Sequence, residues 1–364
     1  MRPLDRLPTI GLLAIFLAAP AAGEEPLRIA TWGGAYERVQ REVLFEPFRE
    51  RTGIAIETIA YNGGTEILEN DPAPDIVDMA MSESLAACAD DRLQSIQALE
   101  LPPGSDGTPA DMDFIGGARH RCALTHTVYA TVIAYDARAF SGQRPSRVAH
   151  LFDTEAFPGQ RALRKTPADN MEWALLASGV PRQELYDLLS TPRGLELAFR
   201  RLGGIRESII WWEEGGEPVR LLESGRAVMA SGYNGRFFNA QLDPDSNIEI
   251  IWDGQIQEYQ TWVIPAGAGR AQAAREFIRF ATRTGPLTAL AERLAYGPAR
   301  HSAEAQVRRH PEAGIDMRPH IPTHAYNSAN AVAKDIDWYA HTIERIRERF
   351  RDWLESGDAA SADQ

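Results

Sequence analysis

The sequence predicts an α/β chain folded as two lobes around a cleft. Three observations carry this expectation. Short apolar runs bounded by turn residues alternate with amphipathic helical stretches along the chain. Two runs, 124–135 and 259–265, stand where the chain would cross from one half to the other and back. The length of 364 residues exceeds what a single hydrophobic core comfortably serves. Two lobes about a cleft are the geometry of hinge closure on a ligand.

The ends and the composition bound the function. Arg2 and Arg6 precede an apolar run at 10–19 and then Pro20, Ala21, Ala22 and Gly23. This is the pattern of a cleaved secretory signal peptide, expected to cover 1–23. The run is too short to span a bilayer, and no other stretch approaches eighteen apolar residues. The formal charge is −13, and loss of Arg2, Asp5 and Arg6 with the leader takes it to about −14. Such a chain is not expected to bind nucleic acid or an anionic membrane. Cys88 and Cys122 are the only cysteines. In an exported chain an even pair reads as one disulfide, closing a loop of about 35 residues worth roughly 3–4 kcal/mol. The competing reading is a catalytic thiol. Two cysteines alone do not fill a zinc site.

Taken in order, a first strand at 27–32 stops at Gly33 and Gly34, and a helix follows over 36–52. Strand, diglycine turn and helix N-terminus let backbone amides approach a ligand closely. Strands at 54–61 and 75–81 come next, the latter running into Ser82 and Glu83. The β-branched, aromatic run 124–135 is a strand, and Pro145, Pro158 and Gly159 mark a linker into the second lobe. Asn170 opens a helix that Gly179 ends; 183–189 and 191–202 are further helices, the last with Thr191 as N-cap and Pro192 at N1. A strand at 208–212 carries Trp211 and Trp212. In the stretch 221–238 a helix closes at Gly225 and a buried strand occupies 227–230. A turn at 232–236 then groups Tyr233, Asn234 and Arg236, at the carboxyl end of a strand, where open α/β sheets hold ligands. Strands at 248–252 and 259–265, a helix at 271–284 and a turn at 295–298 follow. The helix 335–355 has one apolar stripe, Tyr339, Ile343, Ile346, Phe350 and Trp353. The resulting division is 24–135 with 262–305 for the first lobe and 136–261 with 306–356 for the second. A disordered tail is expected at 357–364.

No catalytic signature stands out. Gly-x-Ser-x-Gly, a Walker A loop and His-Glu-x-x-His are absent, and the eight histidines are scattered. No enzyme activity, metal or cofactor is expected. Glu213 and Glu214, adjacent on a loop, read as solvent-facing rather than as glycosidase carboxylates. What remains is a set of aromatics at loop positions: Trp32, Tyr36, Trp211, Trp212, Tyr233, Tyr259, Trp262 and Tyr296. Together they suit a cleft around an aliphatic or cationic ligand. The charged candidates are Glu83, Glu172, Asp253 and Arg236.

The segments 29–36 (IATWGGAY), 73–81 (APDIVDMAM), 124–136, 211–236, 295–298 (AYGP) and 338–354 occur in an order that resembles the periplasmic solute-binding proteins of spermidine/putrescine-type ABC transporters. The resemblance spans essentially all of the chain after the leader. It implies a type II-like two-lobed periplasmic binding protein, a monomer that hands a small-molecule ligand to a membrane permease. It implies ligand contacts at Trp32 and Tyr36, which match an aromatic pair with one extra residue between them. Ser82 matches a polar contact, Glu172 falls near a second-lobe carboxylate, and Tyr233 replaces a tryptophan. Arg236 and Gln260 depart from the pattern, since both stand where acidic residues are expected. An ammonium would be repelled there, whereas a guanidinium suits a carboxylate or phosphonate. The expected ligand is therefore a zwitterionic ω-amino acid resembling 4-aminobutyrate, or a polyamine if Arg236 turns outward. Gly33, Gly34, Glu83, Trp211, Trp212, Tyr259 and Tyr296 complete the candidate set. Two other readings stand beside it. A thiaminase-like enzyme on the same fold requires a free cysteine. A ferric-iron binder favours adjacent tyrosines, which the chain lacks.

Overall fold

Residues 25–362 are described by the computed structural model. The expected leader at 1–23 lies outside them, as do residues 363 and 364 of the expected tail. No described helix is long and apolar enough to cross a membrane.

Ten strands share one sheet: β1 (Leu27–Thr31), β2 (Ile56–Ala60), β3 (Ile76–Ala80), β4 (Ala123–Asp136), β5 (Arg161–Arg164), β6 (Ile209–Trp212), β7 (Met229–Tyr233), β8 (Ile248–Val263), β9 (Gly297–Pro298) and β10 (Val332–Ala333). Their order is β2-β1-β3-β8-β4-β7-β5-β6, with β9 on β4 and β10 on β8. The flanks are parallel: β1 with β2 and β3, and β5 with β6 and β7. The centre is antiparallel, where β8 pairs with β3 and β4, and β4 with β7. The parallel pairing expected from the sequence is thus confined to the flanks and to the two-residue β10, which lies parallel to β8. The central strands pass through both halves, one in each direction.

The ribbon of β4 and β8 runs from Ala123 opposite Val263 to Asp136 opposite Ile248. One end joins the first flank through Val77 and Val263; the other joins the second through Tyr135 and Met229. The change of neighbours falls in the middle of both strands, not at 135/136 and 261/262. The runs 248–252 and 259–265, read as two strands, are largely the single strand β8. Gly254 adopts φ +70° and the register shifts between Thr131 and Ile133. Such a bulge breaks the alternation without ending the strand.

Gly33 and Gly34 take φ +68° and +62°, and the chain turns directly into a helix at Gly34–Gln40. It continues through a π-helical turn, Arg41–Phe45, and Glu46–Thr52 until Gly53 closes it in the left-handed region. Phe45 and Phe48 bury against Phe277 and, with Trp262, fill the first core. The second core gathers Trp173, Leu175 and Leu195 with Ile346 and Phe350 of the last helix, Ile336–Ala362. That helix extends into the tail expected to lack structure. Thr191 caps its helix as expected, accepting from Gly194 N at 3.0 Å. Cys88 and Cys122 form the expected disulfide.

Candidate functional site

A cavity of about 500 Å³ opens where the strand ends of the two halves meet. Trp32, Gly33, Gly34 and Tyr36 enter it from the end of β1, and Tyr233 and Arg236 from the end of β7. Tyr296 and the mid-ribbon residues Thr127, Tyr129 and Gln260 also line it, as do Val219, Glu223, Asn239 and Arg293. Arg236 does not sit on a loop as expected. A helix, Asn234–Gln241, starts directly after β7. Its first residue is buried and bracketed: Asn234 Oδ1 accepts from Ala130 N at 3.0 Å, and Nδ2 donates to Ala295 O at 2.7 Å. Tyr296 packs so closely on Gly235 that an added Cβ would lie 2.6 Å from its ring. Tyr36 lies against Tyr296, and Tyr129 against Tyr233, each with centroids 5.9 Å apart.

The wall carries unmet polar demand. Trp32 Nε1, Thr127 Oγ1 and Gln260 Nε2 are buried without a hydrogen-bond partner. Thr127 and Gln260 face each other across β4 and β8. Leaving buried donors unpaired is costly, so the arrangement asks for an acceptor from outside the chain. Arg236 is exposed on the same cavity and pairs with no carboxylate among the described residues.

One cross-strand step along the ribbon, Tyr129 faces Glu258. Glu258 accepts from Tyr129 at 2.9 Å, from Ser82 Oγ at 2.6 Å and from Lys334 Nζ at 2.9 Å. Burial alone would raise the Glu258 carboxyl, but Lys334 and the hydrogen bonds bring it below its ordinary value. Lys334 also stands 3.9 Å from Asp169 Oδ1. That oxygen is buried and has no hydrogen bond. Asp169 holds φ +69°, strained for a non-glycine residue, just before the helix Asn170–Ala177. Arg164 lies 5.8 and 5.9 Å from the Trp212 and Tyr233 rings, with no hydrogen bond from its guanidinium among the described residues.

Beneath the cavity, Tyr36 is braced from the core. Its hydroxyl donates to Asp78 Oδ2 at 2.9 Å, which also accepts from Gln40 Nε2 at 2.6 Å. His126 Nε2 meets Asp78 Oδ1 at 3.0 Å and stacks on Trp262. Burial, then Asp78, raises the Tyr36 hydroxyl well above its ordinary value.

The structure therefore gathers eight of the expected residues on one cavity: Trp32, Gly33, Gly34, Tyr36, Tyr233, Arg236, Gln260 and Tyr296. Six others are placed elsewhere. Ser82 is spent on Glu258. Glu83 braces the loop behind Trp32, accepting from Tyr61 and Gly64 N at 2.8 Å each. Trp211 packs edge-on to Phe350 and Trp353 in the second core, on the opposite face from Trp212. Trp212 is buried behind Tyr233, its Nε1 donating to Ser231. The Tyr259 hydroxyl donates to Gly116 O at 2.8 Å. Glu172 is sealed in, accepting from Tyr339 and, at 3.4 Å, Tyr186. Thr127, Tyr129, Asp169, Glu258 and Lys334 were not singled out from the sequence. Asp169 and Glu172, three apart at a helix start, were the legible hint of an acidic pair.

Burial and then the neighbouring Asp169 push the Glu172 carboxyl up to about 7. Its unfolded value is about 4.3. The folded state binds this proton more tightly, so the stabilisation is full below the unfolded value and is lost as pH rises through about 7. Glu172→Gln is expected to flatten the fall in melting temperature between about pH 5 and pH 8, read by a pH series of thermal melts.

Comparison with known proteins places this geometry. The profile described as bacterial extracellular solute-binding protein matches residues 44–323. A gamma-aminobutyric acid-binding protein of Pseudomonas aeruginosa is 30% identical over 354 residues, 96% of each chain. The structure of an ABC transporter substrate-binding protein from Bradyrhizobium japonicum superposes with TM-score 0.80 at 22% identity, over 91% of this chain and 100% of that one. The structure of a GABA receptor, Atu4243, superposes with TM-score 0.73 at 25% identity, over 90% and 97%.

Proposed function

Because the chain belongs to the bacterial extracellular solute-binding protein family, we propose that it captures a zwitterionic ω-amino acid of the 4-aminobutyrate kind for import by an ABC transporter. One observation carries the choice. Three buried donors without acceptors, Trp32 Nε1, Thr127 Oγ1 and Gln260 Nε2, belong to residues that wall the cavity beside the exposed Arg236, and Asp169 Oδ1, a buried carboxylate oxygen without a hydrogen bond, lies 3.9 Å from Lys334, which bonds Glu258, the partner of the cavity residue Tyr129. The pair Thr127 and Gln260 is one two-residue strand step from Tyr129 and Glu258.

In this reading the ligand carboxylate takes the three donors and Arg236. The methylenes lie among Tyr36, Tyr129, Tyr233 and Tyr296, and the ammonium takes Asp169. Asp169 rather than Glu172, the second-lobe carboxylate implied by the resemblance, takes the amine in this reading, because two tyrosine hydroxyls already donate to Glu172 Oε1. The name of the Pseudomonas relative agrees with the class. The lobes close by flexing β4 and β8 near 127–131 and 256–260, where their neighbours change. The closed monomer, exported to the periplasm, then docks on its permease. A thiol enzyme is disfavoured, since Cys88 and Cys122 are bonded to each other.

The test is a thermal-shift panel with calorimetry: 4-aminobutyrate and longer ω-amino acids, 2-aminoethylphosphonate, betaine, putrescine and spermidine. A ligand at 100 times its Kd should stabilise the protein by about 2.7 kcal/mol. Zwitterions are expected to bind, and Arg236→Ala to weaken them about ten-fold, the worth of one charge-assisted hydrogen bond. Binding of polyamines without zwitterions would overturn the reading.

A further inference from the structure

We propose that the contact between Gly235 and Tyr296 sets the width of the cleft, so that Gly235 determines how bulky a ligand it accepts. The inference rests on the cleft reading above and deepens it. Both residues line the cavity, together with Tyr36, Tyr233 and Arg236. Gly235 is the second residue of the helix Asn234–Gln241, and its φ is not in the left-handed region. The backbone therefore does not ask for glycine here, and alanine favours a helix more. What excludes a side chain is the ring packed on this residue. A Cβ at 235 would stand 2.6 Å from both Cε1 and Oη of Tyr296 and 2.7 Å from its Cζ. Nonbonded heavy atoms ordinarily settle at about 3.5–4.0 Å.

Neither backbone can retreat from that collision. On the helix, Asn234 is buried, accepting from Ala130 N at 3.0 Å and donating to Ala295 O at 2.7 Å, and Phe237 and Phe238 are buried beside it. The chain around Tyr296 is held on both sides. Ala295 takes φ +57° and carries the carbonyl bound by Asn234. Gly297 pairs with Val128, and Thr323 lies so close that it would collide with a Cβ there. The phenol end of Tyr296 is less confined, since its hydroxyl makes no hydrogen bond among the described residues. Its ring neighbour Tyr36, with centroids 5.9 Å apart, is fixed through Asp78 at 2.9 Å. A methyl group at 235 therefore turns the Tyr296 ring into the cavity, the space that no side chain fills. With glycine the ring rests on the helix and leaves that width to the ligand's methylenes.

Calorimetry on the wild type, Gly235→Ala, Tyr296→Ala and the double variant, with 4-aminobutyrate and 4-amino-3-methylbutyrate as separate titrants, tests this. Gly235→Ala is expected to weaken 4-aminobutyrate by at least about five-fold, the low end of what overpacking costs, and the branched ligand by at least about five-fold more. Tyr296→Ala, which widens the same space, should shift the ratio of the two affinities towards the branched ligand by at least about two-fold. On that background Gly235→Ala should leave the ratio within about two-fold, since the ring it displaces is gone. A Gly235→Ala variant that melts cooperatively and keeps the wild-type affinities overturns the assignment. So does a Tyr296→Ala variant with the wild-type ratio, or a Gly235→Ala shift that persists without the ring. A crystal structure of ligand-free Gly235→Ala reads the contact without any titrant. Its Tyr296 ring is expected roughly 1 Å further into the cavity, and an unmoved ring overturns the proposal. If the wild type takes putrescine and ignores 4-aminobutyrate, the zwitterion reading falls. Putrescine and its 2-methyl derivative then read the width with the same variants and the same expected ratios.

Discussion

Asp113→Ala is expected to destabilise the protein by about 3–5 kcal/mol, the cost of leaving a buried ion-pair partner uncompensated. Arg300 is fully buried and Asp113 is 1% exposed. The guanidinium donates to Asp113 Oδ2 at 2.9 Å, to Thr282 O at 2.7 Å and to Pro102 O at 3.0 Å, and lies 4.1 Å from the Phe114 ring centroid. Asp113 also accepts from Ser302 N and Oγ, each at 2.8 Å. Four separate chain segments are tied at this point. One of them follows β9, whose Pro298 pairs with Thr127 and whose neighbour Tyr296 walls the cavity. Loss of stability should therefore be accompanied by weaker ligand binding, without any contact between Asp113 and ligand. Denaturant melts and calorimetry of the variant read both. A change under about 1 kcal/mol would mean that the site relaxes or admits water. Replacing both partners with apolar residues should recover much of the loss, since breaking a buried pair costs more than removing it.

Asp169→Asn is expected to weaken an ω-amino acid by roughly 30- to 1,000-fold, the 2–5 kcal/mol typical of truncating one partner of a desolvated charge pair. The substitution keeps shape and removes charge. Lys334 retains Glu258 as its partner at 2.9 Å, so the apo protein should melt close to the wild type. Affinity within two-fold of wild type would show that the ammonium lies elsewhere, against the tyrosine faces for example. The contrast with Glu258→Gln is informative. Glu258 serves three donors of the chain itself, so its loss should fall on folding first and on binding second.

What could be read from the sequence followed locality. Gly33 and Gly34 announce a strand end, and Trp32 and Tyr36 flank it. Tyr233 and Arg236 follow an apolar run of the right length for a buried strand. These residues reach the cavity because strand ends in such sheets do so regardless of distant detail. Thr127 and Tyr129 lie inside an unbroken β-branched, aromatic run. Which face of it meets the cleft depends on pairing with β8, more than 120 residues away. Gly254 disguised that partner as two strands. Lys334 sits between a two-residue strand and a helix, where no periodicity marks it, and its site exists only once β10 has paired. Glu172 illustrates the reverse error. Its place near the second-lobe carboxylate was legible, but the hydroxyl that seals it comes from Tyr339, far along the chain. Trp211 and Trp212 could have been separated in advance, since neighbouring strand residues point to opposite faces.

The β4 and β8 ribbon bears on how this protein could change its ligand. Thr127, Tyr129, Glu258 and Gln260 all stand on it at the point where its neighbours change. On the proposed reading, the chain would meet its ligand with the same strands that carry it from one half to the other. A substitution there that improves fit to a new solute also alters the curvature the ribbon prefers. Gains in selectivity at these four positions should come with altered opening and closing, and so with altered delivery. Evolution towards a new nutrient would find the outlying position Arg236, exposed on the cavity, the easier one to vary independently.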